Sequence, residues 1–113
     1  MNSPFFSVIV PTYNSSEFIV ETINGFKNQL FKEFEIIFID DKSEDNTLEI
    51  INNSLSNASL RYRVLSKPDK EQRGVATSRN MGVDVAEGKW IVFCDSDDIF
   101  DSQKLEKVKN YLI

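Results

Sequence analysis

Histidine is absent from the 113 residues, and cysteine occurs once, as Cys94. Without an imidazole there is no histidine general base, no Ser-His-Asp triad and no His-ligated zinc. A lone thiol cannot close an internal disulfide. Set in an apolar run, Cys94 reads as a reduced core thiol of a cytoplasmic protein. Positive charge is also scarce: 13 Lys and Arg against 18 Asp and Glu leave a net charge of -5. Nucleic-acid backbones and anionic membranes reward clustered cations, so neither is expected as the main partner. No apolar run approaches the roughly 18 residues of a membrane span. The longest runs, FEIIFI and WIVFC, have strand length. The start, MNSPFFSVIV, carries no basic region and leads straight into a strand, so no signal peptide is expected.

What is present is the composition of a single globular domain, 41% hydrophobic and 27% charged, long enough for one core and not for two. Strand and helix patterns alternate. Residues 6–10 (FSVIV) form a first strand that should stop at Pro11. Ser15 or Ser16 can cap a helix that turns Ile19, Ile23, Phe26 and Leu30 to the core. Residues 34–39 form a second strand. Ser43 or Asp45 can cap a helix with Leu48, Ile51 and Leu55 inward. A charged strand around Tyr62 to Leu65 suits a sheet edge. Then come a loop in which Lys67, Lys70 and Glu71 should be solvated, and a helix with a small inner face: Val75, Ser78, Gly82, Val85 and Ala86. Gly82 implies close approach to a strand, and Gly88 suits a helix C-cap. Residues 89–94 read as a buried central strand with Trp90 in the core, and a last helix turns Leu105, Val108 and Leu112 inward. The fold class is therefore α/β, a Rossmann-like and mostly parallel sheet with helices on both faces.

Ligands of open α/β sheets bind beyond the carboxyl ends of the strands. Pro11, Thr12, Tyr13 and Asn14 follow the first strand, Asp40 and Asp41 the second, and Asp95, Asp97 and Asp98 the fourth. Any one Asp has an ordinary use as a turn or cap residue. Five carboxylates converging on one edge would repel one another unless a cation neutralised them. Oxygen donors without His or Cys favour Mg²⁺ or Mn²⁺. Such an ion would also let an acidic protein bind a nucleotide diphosphate. No G-x-G-x-x-G follows any strand, which argues against a dinucleotide-binding oxidoreductase. A phosphoacceptor domain would place its acidic pair after the first strand, where this chain has Pro-Thr-Tyr-Asn.

Three pieces, SVIVPTYN (7–14), FIDDKSEDNT (38–47) and RGVATSRNMGVDVAEGKWIVFCDSDD (73–98), together with the spacings between them, span nearly the whole chain in order. With these pieces the chain resembles the N-terminal portion of inverting family 2 glycosyltransferases of the GT-A fold. The resemblance implies that residues 1–113 are one nucleotide-sugar-binding domain. It implies that Pro11 and Tyr13 line the nucleoside pocket, that Asp41 accepts a hydrogen bond from a pyrimidine ring, and that Asp40 supports that loop. Arg73 would reach the base or the diphosphate. In the D-x-D motif formed by Asp95, Ser96 and Asp97, Asp95 and Ser96 would contact the nucleotide and Asp97 would ligate Mn²⁺ or Mg²⁺, supported by Asp98. Arg79 and Asn80 also match the family pattern, with Asn80 expected to bond loop backbone. The implied donor is a nucleotide-diphosphate sugar, a UDP-sugar first. The implied acceptor is a saccharide or lipid-linked hydroxyl, met in the cytoplasm or at the inner face of the membrane. The family's catalytic base has no counterpart after Asp98, so none is assigned. An exposed sheet edge could pair two copies, and a non-catalytic nucleotide-binding module on the same half-fold is the alternative.

Overall fold

The computed structural model describes residues 3–68 and 72–113. Strands and helices alternate: β1 (Phe6–Thr12), α1 (Ile19–Lys27), β2 (Phe34–Asp40), α2 (Thr47–Leu55), β3 (Arg61–Ser66), α3 (Val75–Val85), β4 (Trp90–Phe93) and α4 (Lys104–Leu112). The four strands form one sheet in the order β3-β2-β1-β4, and every pairing is parallel. Parallel pairing requires the helical crossovers that the alternating pattern supplies.

Two apolar layers cover the sheet, because successive side chains of a strand point to opposite faces. On one face Phe6, Val8, Val10, Ile36 and Phe38 meet Ile19, Ile23 and Phe26 of α1, Ile51 and Leu55 of α2, and Leu105 of α4. On the other, Ile9, Ile37 and Ile39 meet Met81 and Val85 of α3. Each fully buried Ile or Phe contributes about 1.5–3 kcal/mol, so these layers fix the strand ends in space. Gly82 lets α3 approach: a Cβ there would lie 2.6 Å from Ile9 Cγ2.

Several local expectations are corrected. β1 does not stop at Pro11 but runs through it to Thr12. The carbonyl of Ile9 accepts the Cys94 N–H, so Pro11, two residues on, turns its missing donor toward the same side, where β4 has already ended at Phe93. The proline therefore breaks no ladder bond. Ser15, Ser16, Ser43 and Asp45 are not N-caps; Phe18 and Asn46 hold those positions without side-chain cap bonds. Leu30 lies past the end of α1 and is exposed. Gly88 is not a C-cap, since α3 ends at Val85; a Cβ on Gly88 would sit 2.6 Å from backbone atoms of Phe6 and Ser7. Among the described residues β4 is not a buried central strand. It lies at the sheet edge, with Trp90 45% and Phe93 47% exposed. Its apolar residues matched a buried strand, but residue type does not report position in the strand order. No helix among the described residues is long and apolar enough to cross a membrane.

Candidate nucleotide-sugar site

The carboxyl ends of β1, β2 and β4 and the start of α3 enclose an open cleft of about 660 Å³. Its walls are Pro11, Thr12, Tyr13, Asp41, Arg73, Gly74, Val75, Ser78, Arg79, Asp95 and Ser96. Six sequence-predicted residues, Pro11, Tyr13, Asp41, Arg73, Asp95 and Ser96, thus share one concavity.

Asp40 and Asp41 adjoin in sequence but point to different work, as the pleat of a strand end dictates. Asp40 is buried. Its Oδ1 accepts the hydroxyls of Thr12 at 2.8 Å and Ser43 at 2.6 Å, and its Oδ2 accepts the Ser43 N–H at 2.9 Å. Ser43 Oγ in turn accepts the Asn14 N–H at 2.9 Å, and Asn14 Oδ1 accepts the Glu44 N–H at 2.7 Å. These bonds tie the loop after β1 to the loop after β2. Both loops need a left-handed residue, Asn14 at φ 47° and Lys42 at φ 64°. Deeper in the same loops, Thr47 Oγ1 accepts the Ser15 N–H at 2.9 Å. The Thr47 hydroxyl and N–H donate to Asp45, and the Thr47 hydroxyl leads the bonds that lower the Asp45 pKa to about 2.

Asp41 forms the cleft wall. Its Oδ2 accepts the Gly74 N–H at 2.8 Å and lies 3.6 Å from Lys67 Nζ. Its Oδ1 is buried with no hydrogen-bond partner among the described residues. Gly74, at the N-cap of α3, holds φ 125°, a conformation that favours glycine over any residue with a Cβ. Beside it the Arg73 guanidinium stands 5.1 Å over the Tyr13 ring. Tyr13 is 47% exposed and so presents an aromatic surface to the cleft.

At the other end of the cleft, Asp95, Asp97 and Asp98 bring carboxylate oxygens within 4.8 Å of one another, all exposed. Asp40 and Asp41 stay apart from this group, so the expected five-carboxylate cluster is a cluster of three among the described residues. Arg79 Nη2 pairs with Asp95 Oδ1 at 3.2 Å, and its guanidinium covers the Phe93 ring at 5.1 Å. The acidic loop and the start of α4 are stitched to α1 and the residues that flank it. Thr22 Oγ1 donates to the Ser96 carbonyl at 2.7 Å, Ser15 Oγ donates to Ser96 Oγ at 2.9 Å, and Gln29 Oε1 accepts the Leu105 N–H at 3.1 Å. Cys94, just before the loop, is free and buried. Burial first, then the carboxylates of Asp98, Asp95 and Asp97, pushes its thiol up to about 12. Oxygen donors in a close group, with a neutral thiol behind them, fit a hard divalent cation.

Two expectations fail here. Asn80 is exposed on α3 and makes no hydrogen bond to loop backbone among the described residues, because the helix turns it to solvent. Lys67 is not solvated: its side chain is 0% exposed. Lys70 and Glu71 lie outside the described residues. Sequence reasoning also missed Ser15, read as a cap, and Glu35, hidden in an apolar strand. Glu35 is buried at the opposite end of the sheet, where Oε2 accepts the Ser7 hydroxyl and the Glu87 N–H, and where Arg61 and Arg63 approach Oε1 within 3.8 Å.

The family model for glycosyl transferase family 2 matches residues 7–113. A glycosyltransferase of Haemophilus influenzae is 38% identical over the whole chain, which covers 44% of that protein. The poly(ribitol-phosphate) beta-N-acetylglucosaminyltransferase TarS of Staphylococcus aureus is 36% identical over 95% of the chain and 18% of its own length. The structure of TarS residues 1–349 with UDP-GlcNAc superimposes with a TM-score of 0.86, covering 95% of this chain and 30% of that one. The mannosyltransferase PcManGT of Pyrobaculum calidifontis, in complex with GDP-Man and Mn²⁺, gives a TM-score of 0.87 at 25% identity over 99% of this chain and 33% of that one. The chain therefore spans less than half the length of these relatives. Its strand order, its cleft and these matches lead to one conclusion: the chain belongs to glycosyl transferase family 2.

Proposed function

We propose that the cleft binds the nucleotide-diphosphate sugar donor of an inverting glycosyltransferase, with a UDP-sugar as the first candidate. The carrying observation is Asp41 Oδ1, a buried carboxylate oxygen with no partner at the cleft wall. Such an atom is costly unless a donor fills it, and a pyrimidine ring N–H supplies that donor. Tyr13 offers the neighbouring aromatic face to the base, and Arg73 can move from that ring to the diphosphate. At the far end, Asp95 and Ser96 face the ribose, and Asp97, supported by Asp98, would hold Mn²⁺ or Mg²⁺. A divalent ion there supplies charge neutralisation to a departing diphosphate. Arg79, now paired with Asp95, limits repulsion between the acidic loop and the donor. Complexes of TarS with UDP-GlcNAc and of PcManGT with GDP-Man and Mn²⁺ support this reading.

In the proposed reaction an acceptor hydroxyl, saccharide or lipid-linked, attacks the anomeric carbon as the nucleotide diphosphate leaves, inverting the centre. No residue of this chain is assigned as the base. A role in surface-polysaccharide assembly at the cytoplasmic side of the membrane belongs to the same proposal, as does pairing of two copies along the exposed β4 edge.

Thermal melting against a nucleotide panel tests the binding. UDP with Mn²⁺ at a hundred times Kd should stabilise the fold by about 2.7 kcal/mol, which is roughly 10 °C for a domain of this size. GDP should do less. A melting temperature unmoved by any nucleotide with metal would overturn the proposal.

A further inference from the structure

Lys67 follows the last residue of β3 and buries its whole side chain. Lysine is almost never fully buried unless its charge is paired and its protons are bonded. Here Nζ donates to the carbonyls of Gln72 at 3.0 Å and Gly74 at 2.9 Å and to the Thr77 hydroxyl. Three N–H protons meet three acceptors, and the charge faces Asp41 Oδ2 at 3.6 Å. Gly74 closes the ring: its carbonyl accepts from Lys67, while its N–H donates to the same Asp41 oxygen at 2.8 Å. One carboxylate oxygen is thereby committed to the protein interior, and the other is left without a partner at the cleft wall. Lys67 itself does not line the cleft.

We propose that Lys67 is a positioning residue for recognition of the donor's base: it selects which Asp41 oxygen faces the cleft and anchors the 72–74 segment that sets Arg73 against Tyr13. This rests on Asp41 being the acceptor for a base N–H. A carboxylate free to rotate would satisfy either oxygen with water and would present no fixed acceptor. With Oδ2 held by an ammonium and a backbone N–H, only Oδ1 remains, and its direction is set. The cleft then reads the presence of a ring N–H, not merely an aromatic base with a diphosphate.

Titration with UDP and with UDP methylated at uracil N3, both at saturating Mn²⁺, separates the possibilities. The wild-type chain is expected to prefer UDP by roughly 10- to 100-fold, the value of a hydrogen bond to a charged acceptor. Lys67→Met is expected to bring the two ligands within about threefold, with Mn²⁺ affinity at the acidic loop unchanged. Adding Asp41→Asn to Lys67→Met should cost no further discrimination, since the two residues act as one unit. If Lys67→Met weakens both nucleotides equally and keeps the wild-type preference, Lys67 is only a structural buttress and the inference falls. If the wild-type chain binds both nucleotides equally, the Asp41 assignment itself falls, and this inference with it. Should Lys67→Met fail to fold, Lys67→Gln keeps amide donors without the charge; a folded Lys67→Gln that retains the preference overturns the inference.

Discussion

Replacing Asp40 by Ala removes the acceptor that holds the loops after β1 and β2 together. Three donors lose their partner at once: the Thr12 hydroxyl, the Ser43 hydroxyl and the Ser43 N–H. An unsatisfied buried donor costs about 1–3 kcal/mol. Thr12 is 2% exposed and stands near the upper end of that range. Ser43 is only half-buried, so water can replace part of what it loses. The sum, about 3 kcal/mol, is reduced somewhat by relief of a buried charge and enlarged by slackening of the Asn14–Ser43 bond. For a domain of this size that lowers the melting temperature by roughly 10–20 °C. UDP affinity should fall even at temperatures where the variant remains folded, because Tyr13 and Asp41 sit on the two freed loops. Circular dichroism melting and calorimetric titration of Asp40→Ala check both parts. A melting temperature within a few degrees of wild type, or unchanged UDP affinity in the folded variant, would refute the view that Asp40 acts as the loop clamp.

Asp97→Ala should abolish the Mn²⁺ dependence of UDP binding with little change in melting, whereas Asp41→Ala should weaken UDP binding and keep the metal response; calorimetry with and without EDTA distinguishes them. Cys94 should resist thiol reagents at pH 8 in the folded protein, reacting only as fast as the chain unfolds. Because its folded pKa is raised from 9.0 to about 12, stability should decline as the pH rises through that interval, where only the unfolded thiol gives up its proton. Cys94→Ala should lose that slope in alkaline denaturation curves. Gly88→Ala should destabilise by about 3 kcal/mol in urea titration, since its Cβ would meet the backbone of β1, which cannot yield without breaking strand pairing; a loss below about 1 kcal/mol would contradict the packing.

The alternation of apolar strands and amphipathic helices was legible because local periodicity reports burial of one face. Gly82 was legible for a similar reason: a glycine in mid-helix has few uses other than close approach. Pocket residues such as Tyr13, Asp41 and Asp95 were legible because strand carboxyl ends gather ligand groups. Long-range partners were not. Residue type does not distinguish Lys67 from the charged Lys70 and Glu71 of the same loop; its burial comes from Gly74 and Thr77, which the fold brings back. The position of Lys67 directly after a strand at the ligand edge was the one available signal. Glu35 was hidden for the same reason, its partners Arg61 and Arg63 arriving from β3. The exposure of Trp90 and Phe93 follows from strand order, which residue type does not encode.

The central claim is that the carboxyl edge of the sheet receives a nucleotide diphosphate. Titrating ¹⁵N-labelled chain with UDP and Mg²⁺ while recording amide shifts tests it most directly. The account predicts that Tyr13, Asp41, Gly74, Asp95 and Ser96 move together along one saturable curve, while Glu35, Arg61 and Glu87 at the opposite edge stay still. Shifts confined to that opposite edge, or no shifts at millimolar UDP, would contradict it.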